Sequence, residues 1–141
     1  MLNTILQALE NFCIHQLGTQ CTIDDGVSKK RTLIAYIDID TKSNQNYRVY
    51  IASDKNFIQR VSQLFLEEDE SDEETLIDMA LETTNLVVGS AKVIAEELDI
   101  NPYIIQTPHF LEVGIFNLEY DQAKIFTIEN DEVSIAIKEL S

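Results

Sequence analysis

Positive charge is what this sequence most lacks: 10 Lys and Arg stand against 25 Asp and Glu, a net charge of −15. A surface that acidic repels phosphate backbones and anionic headgroups, which excludes nucleic acid and anionic membranes as partners. Cysteine is scarce as well, with only Cys13 and Cys21. Neither lies beside a cluster of His or Cys, so a zinc site is not expected, and the thiols read as reduced ones in a cytosol. No apolar run approaches the length of a membrane-spanning helix, and the start, Met1-Leu2-Asn3-Thr4, lacks the basic residues that open a signal peptide. A cytoplasmic location is therefore expected. No internal repeat or low-complexity linker is evident. With 45% hydrophobic residues, 141 residues are expected to form one domain, 1–141, with a substantial core.

Against those absences, the stretch from Ser71 to Leu98 stands out because it contains no proline and reads as one long helix. At about 100° per residue, Asp78, Glu82, Asn85, Gly89, Lys92 and Glu96 fall within roughly 40° of one line. The opposite side carries Leu76, Ala80, Val87, Ala91, Ile94 and Leu98. Ile77, Leu81, Val88 and Ala95 extend it along one flank, and Met79, Leu86 and Val93 along the other. Thr83, Thr84, Ser90 and Glu97 interrupt the apolar surface, and two β-branched threonines at a helix centre are mildly unfavourable. A helix apolar around most of its girth belongs in a core, and its narrow polar stripe is the place to look for function. Asn is a poor helix former, and a mid-helix Gly costs roughly 1 kcal/mol against Ala. On an exposed stripe no packing demand explains either. A Gly one turn beyond an Asn leaves bare backbone against which another molecule can lie.

The rest of the chain reads as helix, then strands, then helix, then strands. Leu2, Ile5, Leu6, Leu9, Phe12, Cys13 and Leu17 recur at helical spacing, with Gly18 as a stop. Thr19 to Ile23 reads as a short strand turned by Asp24-Asp25-Gly26. Thr32 to Asp40 and Tyr47 to Ala52 read as strands joined by the polar turn Lys42 to Asn46, hence antiparallel. Ser53 suits the N-cap of a helix bearing Phe57, Val61, Leu64 and Phe65 on one face. Glu67-Glu68-Asp69-Glu70-Ser71-Asp72-Glu73-Glu74 carries seven acids in eight residues and reads as a solvated loop. Within it, Ser71 with Glu74 fits a capping box for the long helix, which is expected to end before Asn101-Pro102. Tyr103 to Gln106, Leu111 to Leu118, Ala123 to Ile128 and Glu132 to Lys138 read as strands, with turns at Asp121-Gln122 and Asn130-Asp131. Strands in runs around a helical block predict an α+β fold with an antiparallel sheet packed with long helices.

Asp78-x3-Glu82-x2-Asn85, then twenty-two residues, then Pro108, resembles the signature of the CheC/CheX/FliY chemotaxis phosphatases. Gly89 and Lys92 stand where that family often has Gly and Lys. The resemblance covers Asp78 to Pro108 with a family-like lead-in from Ser53. It implies a CheC/CheX-like fold and hydrolysis of the aspartyl phosphate of a CheY-like response regulator. One Glu-x-x-Asn copy is present: the first helix has Glu10 but Cys13 where Asn would be needed. Two-site relatives carry a second copy there, and FliY relatives add a flagellar switch domain for which this length leaves no room. The resemblance is thus to single-site CheX, whose relatives are typically homodimers.

Such a regulator brings its own electrophile, metal and Lys, so the phosphatase need only position a water and hold those groups. An amide both donates and accepts hydrogen bonds and can aim a water's lone pair at phosphorus, which makes Asn85 the candidate. By resemblance, Glu82 pairs with the regulator's active-site Lys. Asp78, Gly89 and Lys92 are expected to contact the partner, with Lys92 able to steer toward an acidic surface. No metal of its own is expected, Mg2+ being supplied by the regulator. His15, near the apolar edge of the first helix, reads as structural, and His109 as a loop or packing residue. Ser28 to Arg31 forms a small basic island, too weak for nucleic acid. The alternatives are a non-catalytic module that sequesters a regulator or sits in a flagellar switch, and a small-molecule binder, for which no pocket signature is seen.

Overall fold

A computed structural model describes residues 2–98 and 103–140; the expected helix stop at Asn101-Pro102 lies outside them. Its elements run α1 (Leu2–Asn11), a π turn (Phe12–Gln16), β1 (Thr22–Asp25), β2 (Arg31–Thr41), β3 (Asn46–Asp54), α2 (Lys55–Leu66), α3 (Glu73–Glu97), β4 (Tyr103–Ile105), β5 (His109–Ile115), β6 (Gln122–Ile128) and β7 (Asp131–Glu139). This is the expected α+β arrangement. The strands form one antiparallel sheet in the order β1-β6-β7-β3-β2-β4, and β5 also pairs with β2. The β2–β3 hairpin pairs Thr32 with Asp54 at one end and Asp40 with Asn46 at the other. β2 is long enough to carry two partners on its outer side, β4 along Ile39–Thr41 and β5 along Arg31–Tyr36, with a bulge at Ile34/Ala35.

Side-chain alternation divides the sheet into two faces. Leu33, Ile37 and Ile39 of β2, Val49 and Ile51 of β3, and Val133, Ile135 and Ile137 of β7 pack in one cluster with all three helices. The intervening residues Ile34, Tyr50, Ala52 and Ala136 face the other way and form a smaller cluster with Phe116. The chain therefore leaves β5 after Ile115 rather than at Leu118, because Phe116 must turn to cover that second face. Also on it, the Arg48 guanidinium sits 4.1 Å over the Tyr36 ring while bonding both Asp38 oxygens, at 2.8 and 3.0 Å.

Both expected caps move by one residue. Asp54, not Ser53, caps α2, accepting from the Phe57 amide at 2.8 Å. Ser53 is a buried rung of β3, opposite Leu33 and Val133. Asp72, not Ser71, caps α3, accepting from the Thr75 amide at 2.8 Å. The Ser71–Glu74 capping box does not form, because the buried Ser71 is taken up by Gln59, Ser62 and Glu68. Glu67 to Glu70 are exposed, in keeping with a solvated loop.

The first helix ends differently from its periodicity. Leu17 donates to the Phe12 carbonyl at 3.1 Å and Thr19 to the Cys13 carbonyl at 3.0 Å, widening the last turn before Gly18 reverses the chain at φ +69. That reversal delays β1 to Thr22–Asp25. On α2, Leu64 and Phe65 prove 41% and 45% exposed rather than core, the last turn of the helix from Gln63 to Leu66 being exposed throughout.

Candidate functional site

α3 owes its length to a capped start, two acids in its first turn, and a buried face. Leu76, Met79, Ala80, Thr83, Thr84, Val87, Val88, Ala91 and Ala95 recur at helical spacing and are buried. Thr83 and Thr84 are fully buried without cost in unpaired polar atoms: their hydroxyls donate back to the Met79 and Ala80 carbonyls at 2.7 and 2.9 Å. Tyr103 of β4 is buried beneath the same helix, its hydroxyl 3.5 Å from the Val88 carbonyl, and burial pushes its pKa up to about 12. The apolar girth is narrower than the sequence suggests, because Val93 and Leu98 are 51% and 63% exposed.

With that face fixed, the stripe must look outward. Asp78, Glu82, Asn85 and Glu96 are exposed, and Gly89 and Lys92 are half-buried. All five expected site residues are thus brought onto one outer line of a helix rooted in the core. Glu82 and Asn85 are offset along it by about 4.5 Å, three residues of rise. Among the described residues, none of Asp78, Glu82, Asn85 and Lys92 forms a hydrogen bond or ion pair with another side chain. Polar side chains elsewhere are engaged: Arg60 bonds Asp131 and Glu129, and Asp54 holds the Glu132 amide at 2.7 Å. A Cβ built at Gly89 meets no atom within 4 Å, so the bare backbone there faces open space. Among the described residues no group of three or more His, Cys, Asp or Glu is placed to hold a metal ion.

The sequence model of the family described as "Chemotaxis phosphatase CheX" matches residues 34–131, well over half of the chain. The chain belongs to the CheX family. No curated protein sequence matches it. Solved structures do. The chemotaxis protein CheX from Vibrio vulnificus superposes with a TM-score of 0.74 at 19% identity, covering 97% of this chain and 98% of its own. A chemotactic CheC-like protein from Shewanella oneidensis MR-1 gives 0.77 at 16%, covering 97% of each. CheX of the CheX–CheY–BeF3–Mg2+ complex from Borrelia burgdorferi gives 0.67 at 17%, covering 98% and 97%. At such identities the likeness speaks for the fold, and the family rests on the sequence match.

Within this CheX-family chain, the absence of a second Glu-x-x-Asn has a structural counterpart. Glu10 is half-buried and Cys13 is wholly buried inside the π turn, so α1 presents no outward pair there. Burial, and then the neighbouring Cys21, pushes the Cys13 thiol up to about 12. His15 departs from its structural reading: it is exposed and lines a groove against α3. His109 does pack, stacking on Tyr36 with centroids 5.2 Å apart, although it opens a strand rather than sitting in a loop. Of the basic island, Lys30 reaches Asp54 at 3.5 Å and Ser28 donates to Glu132 at 2.6 Å, so two of its members are structural. Sequence reasoning missed the surface beside the stripe, where Phe12, Phe65 and Val93 meet around that groove. Helical spacing put all three on apolar faces, and spacing alone does not tell a covered face from an open one.

Proposed function

We propose that this chain is a single phosphatase domain that removes phosphate from a phosphorylated CheY-like response regulator, in chemotaxis or two-component signalling. The observation that carries the reading is the outward, unpartnered Glu82–Asn85 pair on a helix fixed by its buried face. A water oxygen attacks phosphorus in line while the bond from phosphorus to the aspartyl oxygen breaks. The products are inorganic phosphate and a free carboxylate. Asn85 accepts a hydrogen bond from the water and so aims its lone pair at phosphorus. Glu82, one turn earlier, pairs its carboxylate with the regulator's Lys and fixes how deeply the amide enters. General-base work is not asked of Glu82, since a metaphosphate-like centre needs little deprotonation of the nucleophile. Asp78, Gly89 and Lys92 complete the partner-facing line.

The Borrelia CheX structure contains CheY, BeF3 and Mg2+. By the same division of labour, Mg2+ here belongs to the regulator and neutralises the phosphoryl oxygens. The protein is read as cytoplasmic; no helix among the described residues is long and apolar enough to cross a membrane. It is further read as a homodimer paired through the β5 edge, where Leu111 and Ile115 are 43% and 61% exposed.

The test is phosphate release from the cell's own phosphorylated regulators, with and without the protein, in Mg2+ and in chelator. Faster release from at least one regulator, dependent on Mg2+, is expected. Tight binding of the phosphorylated form without faster release would favour a sequestering module instead.

A further inference from the structure

Cations are scarce on this chain, so the places where they stand free matter. Of its 10 Lys and Arg, Lys30, Arg48, Arg60, Lys124 and Lys138 are each held in an ion pair within the fold. Lys29, Arg31 and Lys55 gather at one end of the sheet, where Arg31 opens β2 and Lys55 follows Asp54, the partner of Thr32. Lys42 and Lys92 remain. They line one cleft of about 310 Å3 with Asp40, Glu96, Tyr103 and Ile104.

The fold brings these two lysines together from elements far apart in sequence. Thr41, the last residue of β2, pairs with Tyr103 of β4. Tyr103 lies buried beneath α3, its hydroxyl 3.5 Å from the Val88 carbonyl. The end of β2 is thereby set against the helix one turn before Lys92, and Lys42 is the next residue of the chain. Lys42 also stands on a braced turn. Thr41 donates its hydroxyl to the Gln45 carbonyl at 2.8 Å, and the Asn44 amide donates to the Thr41 carbonyl at 3.2 Å. Asn44 takes the left-handed φ of +63 in this reversal, a conformation Asn adopts more readily than most residues. The backbone at Lys42 is fixed, and only its own side chain is left to swing.

Both lysines have carboxylates within the cleft, and among the described residues neither pairs with one. Glu96 follows Lys92 by four residues, the weaker order for a helical ion pair. Asp40 accepts instead from the Gln106 side-chain amide at 2.6 Å. The two lysines still offset Asp40 and Glu96, on a chain that sets 10 cations against 25 carboxylates. Ile104, 64% exposed, gives the cleft an apolar lip. On the opposite flank of α3, toward α1, no Lys or Arg among the described residues lines the groove.

An aspartyl phosphate that works with Mg2+ sits among carboxylates, because Mg2+ takes oxygen ligands. The rim that such a site turns toward α3 is therefore acidic, and a chain of net charge −15 repels it over most of its surface. Lys92 lies seven residues beyond Asn85, about 10 Å along the helix axis, which is inside the footprint of a folded domain docked on Asn85.

We propose that Lys42 joins Lys92 in a two-lysine contact for the acidic rim of the phosphorylated regulator, which leans over the β2–β3 turn rather than over α1. Lys42, outside the stripe, is then a residue that selects the partner. The inference rests on the reading of the stripe as regulator-facing, and adds the direction of approach and a docking residue on another element.

The experiment changes the charge of Lys42 and, as a control, of Lys29, another exposed lysine without an ion pair. The length of β2, roughly 33 Å, lies between them. The dissociation constant for a regulator receiver domain activated with beryllofluoride and Mg2+ is measured alongside KM and kcat for the phosphorylated form, with thermal melts to confirm folding. At low salt, Lys42→Gln is expected to raise Kd and KM about threefold and Lys42→Glu about tenfold, with kcat within about twofold of wild type, as a charge at an interface rim does. At about 0.5 M salt, where charges a few ångströms apart are already screened, those differences should shrink to within about twofold. Lys29→Glu is expected to leave all three constants unchanged. Equal effects of Lys42→Glu and Lys29→Glu would overturn the proposal, as would a loss that persists undiminished at high salt. So would a change of oligomeric mass in Lys42→Glu with Kd unaltered, which would give the cleft to a second copy of the chain. A raised Kd for Lys42→Glu where wild type binds but speeds no phosphate loss would uphold the cleft and reject the phosphatase reading. Wild type that binds none of the cell's activated regulators would overturn both.

Discussion

A single methyl group at Gly89 separates what the helix needs from what the stripe needs. Gly89 lies inside α3, and a Cβ there meets nothing within 4 Å. Gly89→Ala removes the entropic cost of glycine without a clash, a gain of about 0.8–1.0 kcal/mol. Unfolding entropy of about 2.1 cal/mol/K per residue gives ~0.3 kcal/mol/K for a chain of 141 residues, so the melting temperature should rise by about 3 °C. If the bare backbone is where the regulator lies against α3, the same methyl stands in the interface. Losing about 1 kcal/mol of contact raises KM roughly fivefold. A thermal melt and a steady-state dephosphorylation assay on one preparation read both. The expected variant is more stable and a poorer phosphatase. A higher melting temperature with KM unchanged would remove Gly89 from the docking surface, and a lower one would contradict the open space described around it.

Asp54→Ala should lose about 3 kcal/mol in urea unfolding, about 1 for the α2 cap and the remainder for leaving the Glu132 amide without an acceptor; Asp54→Asn, which keeps one acceptor oxygen, should lose less, and equal losses would contradict the hydrogen-bond account. The Cys13 thiol, pushed from 9.0 to about 12, gives a pH dependence of definite sign. Between those values the unfolded chain has released the proton that the folded chain still holds, so this contribution is complete below pH 9.0 and is lost as pH rises toward 12. The stability difference between wild type and Cys13→Ala should narrow over that window, and a flat difference would contradict the burial argument. Light scattering at micromolar concentration should report about twice 16.1 kDa; a monomer over a wide concentration range would remove the dimer and leave the chemistry untouched.

The stripe was legible because α3 obeys one period along its whole length. Nine buried residues at helical spacing leave the remaining line no direction but outward. The β2–β3 hairpin was legible for a similar reason, its short polar turn and alternating residues allowing one register. What could not be read lies where two residues compete for one role. At Ser53-Asp54 and again at Ser71-Asp72, serine and aspartate are both good caps. The choice fell on aspartate because each serine is buried in long-range packing that a local rule does not contain. The groove was hidden for the converse reason. Phe65 and Val93 have the spacing of core residues, yet they stand 45% and 51% exposed beside the buried Phe12. Thr83 and Thr84 read as faults in an apolar face, yet their back-bonds to the helix let them enter the core.

The most direct test of the central claim sets Asn85 against Glu82 in one assay, dephosphorylation of a pre-phosphorylated regulator beside a binding titration with its beryllofluoride form. An amide that aims the water acts chiefly in the transition state, so Asn85→Ala should lose on the order of 10²-fold in kcat with binding nearly unchanged. Glu82→Ala should weaken binding and turnover together, with Glu82→Gln recovering only part, because the ion pair forms on docking. Asp78→Ala should be milder than either. A folded Asn85→Ala variant that turns over as fast as wild type would contradict the chemistry assigned to the stripe.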